Sequence, residues 1–566
     1  MNSTKKVNVS ILLVVMLLQV FVLGSLPAAT AGDEAPNQVT IEWLGVHDTS
    51  LFTKGIEDDR VMQALAERTG VTIDWGLNVG VADTNAKLAV MLAGDDLPDV
   101  VTPINNSELD AQLVASGQIL ELDDLVAEYG PNIIKNCGLM LDYNREMRSN
   151  GTGKLYGINM HVGQDSSWPD GIATSWNIRW DLYKELGCPE LHTLDDMLEL
   201  LIKMQELEPE TPDGQKTYGL GYFLGESWGS VMIDRAYMFD MGLCNSSACE
   251  AVYVDAHNEA VVPRVTDPDG AYWASLEFLN KAYLAGVLDP ESATLKFSTY
   301  MEKAEQQRYH AAVQNMFGSA NALLLAEPNN KGYVPIIIKA HPDGAWTNTV
   351  MKIGSQAVAY ISKNSKYGKE IVQMLNYLAT EEGQILIRHG IEGQDWEFNE
   401  KGEGVFIGEL LEAYKTKTVI TKESGIGKYG WSLNVYNPPK LSNGTYSNFS
   451  FNTVIEQPLA YQEFCEHFGI KTVGEYGDIM GGFGYDYTFM TDTNIPMNSD
   501  AGIKNANVNN YVVTRIAKAI FCESEEEFQS TKATMIQEMN DLGAEDVIAE
   551  YTRIYDECIA KYKLIG

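Results

Sequence analysis

The chain has 566 residues, 45% of them hydrophobic and 21% charged, ordinary globular usage at a length that calls for two large lobes or several modules rather than one core. Its formal net charge of −37 argues against polyanionic partners, so nucleic acid and anionic membrane surfaces are not expected to bind.

The first 31 residues read as an export signal. Lys5 and Lys6 precede the apolar run Ile11 to Leu26, and Pro27 leads to the small-residue site Ala29-Thr30-Ala31 before Gly32. Losing two lysines and no acid takes the charge from −37 to −39. Left uncleaved, the run would serve as a membrane anchor, and no later stretch is long and apolar enough to span a bilayer. A lipid anchor needs a cysteine directly after the apolar core. Here the first cysteine is Cys137, so a standard lipoprotein anchor is not expected. The seven cysteines contain no CxxC pair. Cys244 and Cys249, in GLCNSSACEA, could close a small disulfide loop after export or stay as buried thiols.

Beyond the signal, Gln38 to Val46 has the apolar run of a strand, and IEDDRVMQALAERTG has a helical stripe (Val61, Met62, Leu65) that stops at Gly70. VTIDWGL is a second strand. DTNAKLAVMLAG is a helix with Asp83 as N-cap and Gly94 past its end, and LPDVV is a third strand. Strand, helix, strand, helix, strand within about 65 residues predicts parallel pairing through right-handed crossovers, hence an α/β lobe. Asp95 and Asp96 fall in the turn after the second helix, where aspartates bond their own backbone. Asp99 leads into TPINN, a loop at a carboxyl end of the sheet, where α/β folds place ligands.

Next come two short helices separated by Gly117 and closed by Gly130-Pro131, then a strand-like Lys154 to Val162. A second α/β lobe is expected from about Gly163, with a capping box at Thr193 and Asp196. Long helices are expected at Tyr272 to Ala285 and Ser365 to Arg388. The C-terminus is a helical pair opened by Ser524 and broken at Gly543. No repeat and no low-complexity linker separates the lobes, which suggests a chain that crosses between them repeatedly.

Two motifs suggest chemistry. GESWG, Gly225 to Gly229, matches the nucleophile elbow, after the strand-like YGLGYFL and before the helix-like VMIDRAYMF. A serine hydrolase built on Ser227 would need one histidine, yet His257, His310, His341, His389 and His467 compete, and no HGGG-type oxyanion segment precedes it. GIGKYG, Gly425 to Gly430, satisfies GxGxxG, but a two-proline segment with no expected helix follows, leaving no helix N-terminus for a pyrophosphate. No cofactor or metal motif is present. Trp168, Trp176, Trp228, Trp346, Trp396 and Trp431 lie largely in Gly-, Ser- and Asn-rich stretches. Loop tryptophans near amides and carboxylates suit sugar, stacking on its C–H face while the planar groups bond hydroxyls; the alternative for each is a core or loop anchor.

Several segments, in order, resemble the large extracellular solute-binding proteins of ABC sugar importers, the class of maltose-binding protein and its longer relatives. LAGDDLPDVV resembles their helix-to-strand corner, and GKLYGI with TSWNIRWDLYKELG and TLDDMLELLIKM their hinge strand and the helices opening the second lobe. AAVQNMFGSA resembles the return crossing, and YGKEIVQMLNYLATEEGQILIRHGIEGQDWE the late helix and its loop. The resemblance implies a two-lobed, periplasmic-binding-protein-like α/β fold with a ligand cleft between the lobes, and no enzyme activity. One lobe would hold residues 32–162 plus about 305–350, the other 163–304 plus about 351–566 with the helical tail.

It further implies a monomer that captures a solute, most readily an oligosaccharide, by lobe closure and delivers it to a membrane permease. The alternatives are a serine hydrolase and a ligand-sensing module for a membrane receptor. Cleft candidates at strand ends are Asp48, Thr102, Asn105, Trp176, Asn177, Glu226, Trp228, Ser319 and Trp396. The tryptophans would stack, and Asp48, Asn177 and Glu226 would bond hydroxyls. Some relatives that bind acidic oligosaccharides carry a calcium loop; Glu210, Asp213 and Gln215 are poor substitutes for it, so no calcium is expected there. The acidic surface favours a neutral ligand unless a local basic pocket overrides it.

Overall fold

The computed structural model describes residues 38–565 apart from 105, 166–171, 173, 247–248, 314–316, 328, 356, 417–419 and 454–456. The signal segment, Asn105 and Trp168 lie outside the described residues.

The first sheet has the order Val71–Asp74, Val39–Leu44, Val100–Val101, Val358–Ile361, Gly157–Asn159. Val39–Leu44 runs parallel to both neighbours, with Val39 opposite Val71 and Trp43 opposite Val100, as the strand–helix alternation predicts. The crossover helices Arg60–Thr69 and Thr84–Ala93 start on the side chains of Asp59 and Asp83, which accept from the Met62 and Ala86 amides. The first ends at Gly70 with φ 73° and the second at Gly94. Asp95 takes the left-handed φ of 55° and Asp96 donates its amide to the Met91 carbonyl. Asp99 accepts from the Glu42 amide at 2.9 Å and the Ser365 hydroxyl at 2.6 Å. These three aspartates are punctuation and stitching rather than a carboxylate cluster.

Val358–Ile361 is antiparallel to both Val100–Val101 and Gly157–Asn159. The strands ending at Leu44, Val101 and Asn159 therefore share one carboxyl edge. Below it Ile41, Trp43, Val61 and Trp75 are fully buried, the apolar layer that holds strands and helices together.

A second sheet is built on Trp176–Arg179, flanked by Ala311–Val313 and Tyr333–Ile336, both antiparallel to it. The helix Leu194–Leu207 carries the expected capping box of Thr193 and Asp196. The chain passes between the sheets through a third, in which Gln164–Asp165 pairs antiparallel with Trp346–Met351 and the latter runs parallel to Phe483–Asp486.

This arrangement reverses the expected exchange of segments. Ala311–Val313 pairs in the second sheet and Val358–Ile361 in the first, so the return follows Tyr333–Ile336, at Trp346–Met351, and AAVQNMFGSA is not the crossing. Both short strands are buried throughout, and a strand buried on both faces carries no alternation to reveal which sheet it joins.

Smaller departures have local causes. Pro131 does not close a helix but opens one, Pro131–Met147, from its first position. The expected long helix over 365–388 is two, Gly368–Leu378 and Glu381–His389, because Thr380 caps the second by accepting from the Gly383 amide. The C-terminal pair Glu525–Asp541 and Ala544–Ile565 turns at Gly543, φ 92°, and is preceded by a further helix, Asp500–Ile520. Cys244 and Cys249 lie in one hairpin opposite Val254 and Ser246, and both are free, buried thiols.

Candidate functional site

Beyond Leu44 the chain must turn tightly over the next strand, and Gly45 makes this possible. Its φ is 125°, and a Cβ there would lie 2.0 Å from the Thr102 carbonyl oxygen. The buried Asn78 side chain secures the turn, accepting from the Gly45 amide at 2.9 Å and donating to the Trp43 carbonyl at 2.8 Å. This presents His47 at the carboxyl edge, stacked on Trp431 with ring centres 4.7 Å apart and planes at 16°. From the other end of the edge comes His161, with its ring edge-on to the same Trp431 at 5.1 Å. Trp431 keeps 38% of its surface exposed.

The segment carrying Trp431 is tied to the first lobe's opening residues. Buried Lys428 pairs with Glu57 at 2.9 Å and lies 3.5 Å from Asp59. The Tyr429 hydroxyl donates to Asp59, and the Ser432 hydroxyl to the Gly45 carbonyl at 2.9 Å.

Next to His161 opens a cavity of about 640 Å³, walled by His161, Gln164, Arg388, Asn434, Asn437 and Lys440 among others. Asn437 is its hub. The Asn437 Oδ1 accepts from Arg388 at 2.7 Å and from Gln384 at 3.2 Å, while its amide donates to Gln164 Oε1 at 3.2 Å. Gln164 belongs to the strand that crosses between the sheets, so the cavity borders the crossing.

Burial holds His161 neutral, its pKa lowered to about 4, with Nδ1 2.8 Å from the Ser355 hydroxyl. Burial likewise lowers His389, which also feels the Arg388 charge. Arg388 is lowered by burial to about 10 and stays charged at neutral pH. Asp165 adds a carboxylate to the wall. Neutral rings, carboxamides and one recessed guanidinium make a hydrogen-bonding surface suited to holding a polar ligand. Among the described residues, no group of three His, Cys, Asp or Glu side chains is arranged to hold a metal.

Of the nine residues named from sequence, the eight that are described do not assemble here. Asp48 is exposed and caps the turn Thr49–Leu51 through the Ser50 amide. Thr102 is buried and accepts from the Trp43 indole at 3.0 Å. Trp176 is core, 2% exposed, with its indole donating to buried Asp240, and Asn177 is buried beside it. Glu226 accepts from Trp228 and the Phe297 amide, and Trp228 rests on Phe223 and Phe297. Ser319 donates to Glu305. Trp396 is buried, donating to the Gly390 carbonyl. Stacking of a ligand on Trp176 or Trp396 is therefore corrected: both indoles are consumed inside the fold, because a buried N–H must find a partner.

Neither motif finds its required setting. Tyr218 and Leu220 make only isolated bridges, and Ser227–Met232 is a 3₁₀ turn, so GESWG is no strand-to-helix elbow. GIGKYG is followed by a four-residue helix, Gly430–Leu433, which the sequence did not lead us to expect. Its role is to seat Trp431. The missed residues, His161, Gln164, Arg388 and Asn437, carry no motif; Trp431 was visible as a loop tryptophan.

Two α/β lobes joined by crossing strands, with a polar cavity at the crossing, define a two-lobed, periplasmic-binding-protein-like protein. The chain belongs to the bacterial extracellular solute-binding protein family, whose model matches residues 53–385. It is 23% identical over 390 residues to the lipoprotein LipO of Bacillus subtilis, covering 66% of this chain and 70% of that one. Among solved structures it resembles the HMO-binding, ABC-transporter-associated solute-binding protein of Bifidobacterium longum infantis, with a TM-score of 0.62, 14% identity, and 93% and 99% of the two chains covered. It also resembles an EF-hand mutant of the S. pneumoniae ABC-transporter substrate-binding protein FusA in complex with fructo-nystose, with a TM-score of 0.55, 16% identity, and 92% and 100% covered.

Proposed function

We propose that the chain captures an oligosaccharide outside the cell and presents it, by lobe closure, to the permease of an ABC importer, without catalysing a reaction. The observation that carries this reading is the partly exposed Trp431 beside the amide-lined cavity: an aromatic face for sugar C–H groups next to planar donors and acceptors for hydroxyls. The sugar ligands named for the two structural relatives support it. In this reading the first lobe comprises residues 38–162 and about 352–453, and the second 163–350 with most of the remainder. Gly163 and Gly354, with φ of 82° and 85°, sit where the chain crosses and absorb the hinge rotation. The protein acts as a monomer, exported by its N-terminal segment.

A thermal-shift screen of residues 32–566 against neutral and acidic oligosaccharides, monosaccharides and short peptides tests the reading. A ligand at a hundred times its Kd adds about 2.7 kcal/mol, a shift of a few degrees or less for a chain this large. A saccharide hit without turnover supports it. A hit confined to peptides, or hydrolysis lost in Ser227→Ala, refutes it.

A further inference from the structure

Arg388 is placed where a structural arginine would be held by acids, and it is not. The other deeply set arginines of this chain show the usual solution. Arg148 pairs with Asp492 at 3.0 Å, Arg179 with Asp181 and Glu208 at 2.7 and 2.9 Å, and Arg264 with Asp234 and Glu250. Arg235, which has no ion pair among the described residues either, covers the Phe239 ring instead. Arg388 lines the cavity and has the neutral Asn437 carbonyl as its bonded partner at 2.7 Å, and no carboxylate among the described residues offsets its burial. Asp165 is on the same wall, and Lys440, over the Tyr446 ring, adds a second positive charge.

A guanidinium has five donors in a rigid fork. One engaged by Asn437 leaves a fork to offer, and Asn437 is itself braced by Gln384 and Gln164, so the fork is held in place before any ligand arrives. The natural complement of such a group is a carboxylate, bound bidentately.

We propose that the solute is an acidic saccharide, and that Arg388 binds its carboxylate within the cavity beside Trp431. This rests on the oligosaccharide reading and names the class of sugar. A single carboxylate fits better than a phosphate or a polyuronate. The wall offers one guanidinium and one ammonium, its two histidines are neutral, and a long polyanion would meet the repulsion of a chain with net charge −37.

The test is isothermal titration of residues 32–566 with uronic-acid disaccharides (glucuronosyl-glucose, glucuronosyl-xylose and digalacturonate), each beside its methyl ester and its neutral counterpart, and with glucose 6-phosphate. At least one acid is expected to bind about tenfold or more tighter than its ester, the scale of a charge-assisted bidentate contact. Arg388→Gln is expected to abolish that difference, weakening the acid far more than the ester, and Arg388→Lys to keep part of it. Should Arg388→Gln fail to fold, the acid-to-ester ratio on the unaltered protein and on Arg388→Lys carries the test. Esters and neutral sugars binding as tightly as the acids, or a preference for the phosphate, overturns the inference and leaves the oligosaccharide reading standing. A protein that binds peptides and no saccharide of either kind overturns both.

Discussion

If Trp431 is the stacking platform, its removal should cost affinity in proportion to the surface a sugar covers. A tryptophan presents up to about 250 Å², and 38% of Trp431 is exposed. Covering that remainder removes about 95 Å² from water, which at about 25 cal/mol per Å² amounts to about 2.4 kcal/mol, or roughly a sixtyfold change in Kd. Trp431→Ala should therefore weaken binding of the saccharide found in the screen by one to two orders of magnitude. The fold should tolerate the change, because the Trp431 ring leans on His47 and His161 at the edge of the cavity rather than filling the core. Calorimetry gives the Kd, and tryptophan fluorescence on titration gives an independent reading, since the ligand-induced change should vanish in the variant. Trp228 is the control: it is equally exposed at 38% but rests on Phe223 and Phe297, and Trp228→Ala should leave Kd within twofold. A Trp431→Ala protein that binds as tightly as the parent, or a large loss at Trp228 instead, would refute the placement of the site.

Three further outcomes follow from the packing. Burial pushes the carboxyl of Asp110 up to about 7, about three units above its unfolded value; the folded state then holds the proton more firmly, so stability present below about pH 4 is lost as pH rises towards 7, about 4 kcal/mol in all. Asp110→Asn should accordingly raise Tm at pH 8, with little effect at pH 4, in paired melts at the two pH values. Lys428→Met leaves Glu57 and Asp59 buried without their cation and should destabilise the protein by about 3–5 kcal/mol in urea unfolding. Because this ion pair seats the segment bearing Trp431, saccharide affinity should fall as well. Alkylation in denaturant without reductant should modify Cys244 and Cys249, whose thiols burial pushes up to about 12, whereas both should resist the reagent in the native protein.

The fold was legible wherever the signal is local. Asp59, Asp83, Thr193 and Ser524 announce helix starts because a cap is a contact between near neighbours in sequence. The parallel core of the first lobe followed from strand and helix alternation alone. Sheet membership did not, since Ala311–Val313 and Val358–Ile361 are equally apolar and only long-range pairing distinguishes them. The site was less legible for a related reason. Arg388 reads as a last-turn cation favouring a helix C-terminus, Asn437 as a loop residue before two prolines, and His161 as the end of a strand. What unites them is the crossing at Gln164, a tertiary event.

The contrast between surface and cavity bears on selectivity. Acids outnumber Lys and Arg 78 to 41, so carboxylates are abundant, and Arg148, Arg179 and Arg264 have each acquired one or more. A recessed guanidinium whose bonded partner among the described residues is an amide carries a desolvation cost that a protein carboxylate would have offset. Left without one, Arg388 gains most from a ligand that supplies the missing charge, while a neutral sugar in the same cavity leaves that cost in place. The surrounding negative surface acts against the same anion at long range, but that repulsion is screened beyond about 8–10 Å in physiological salt. A contact inside the cavity is screened much less. Long polyanions therefore remain disfavoured by the exterior, and a short acidic saccharide is favoured once inside, so the two fields together select for charge at one position rather than for charge overall.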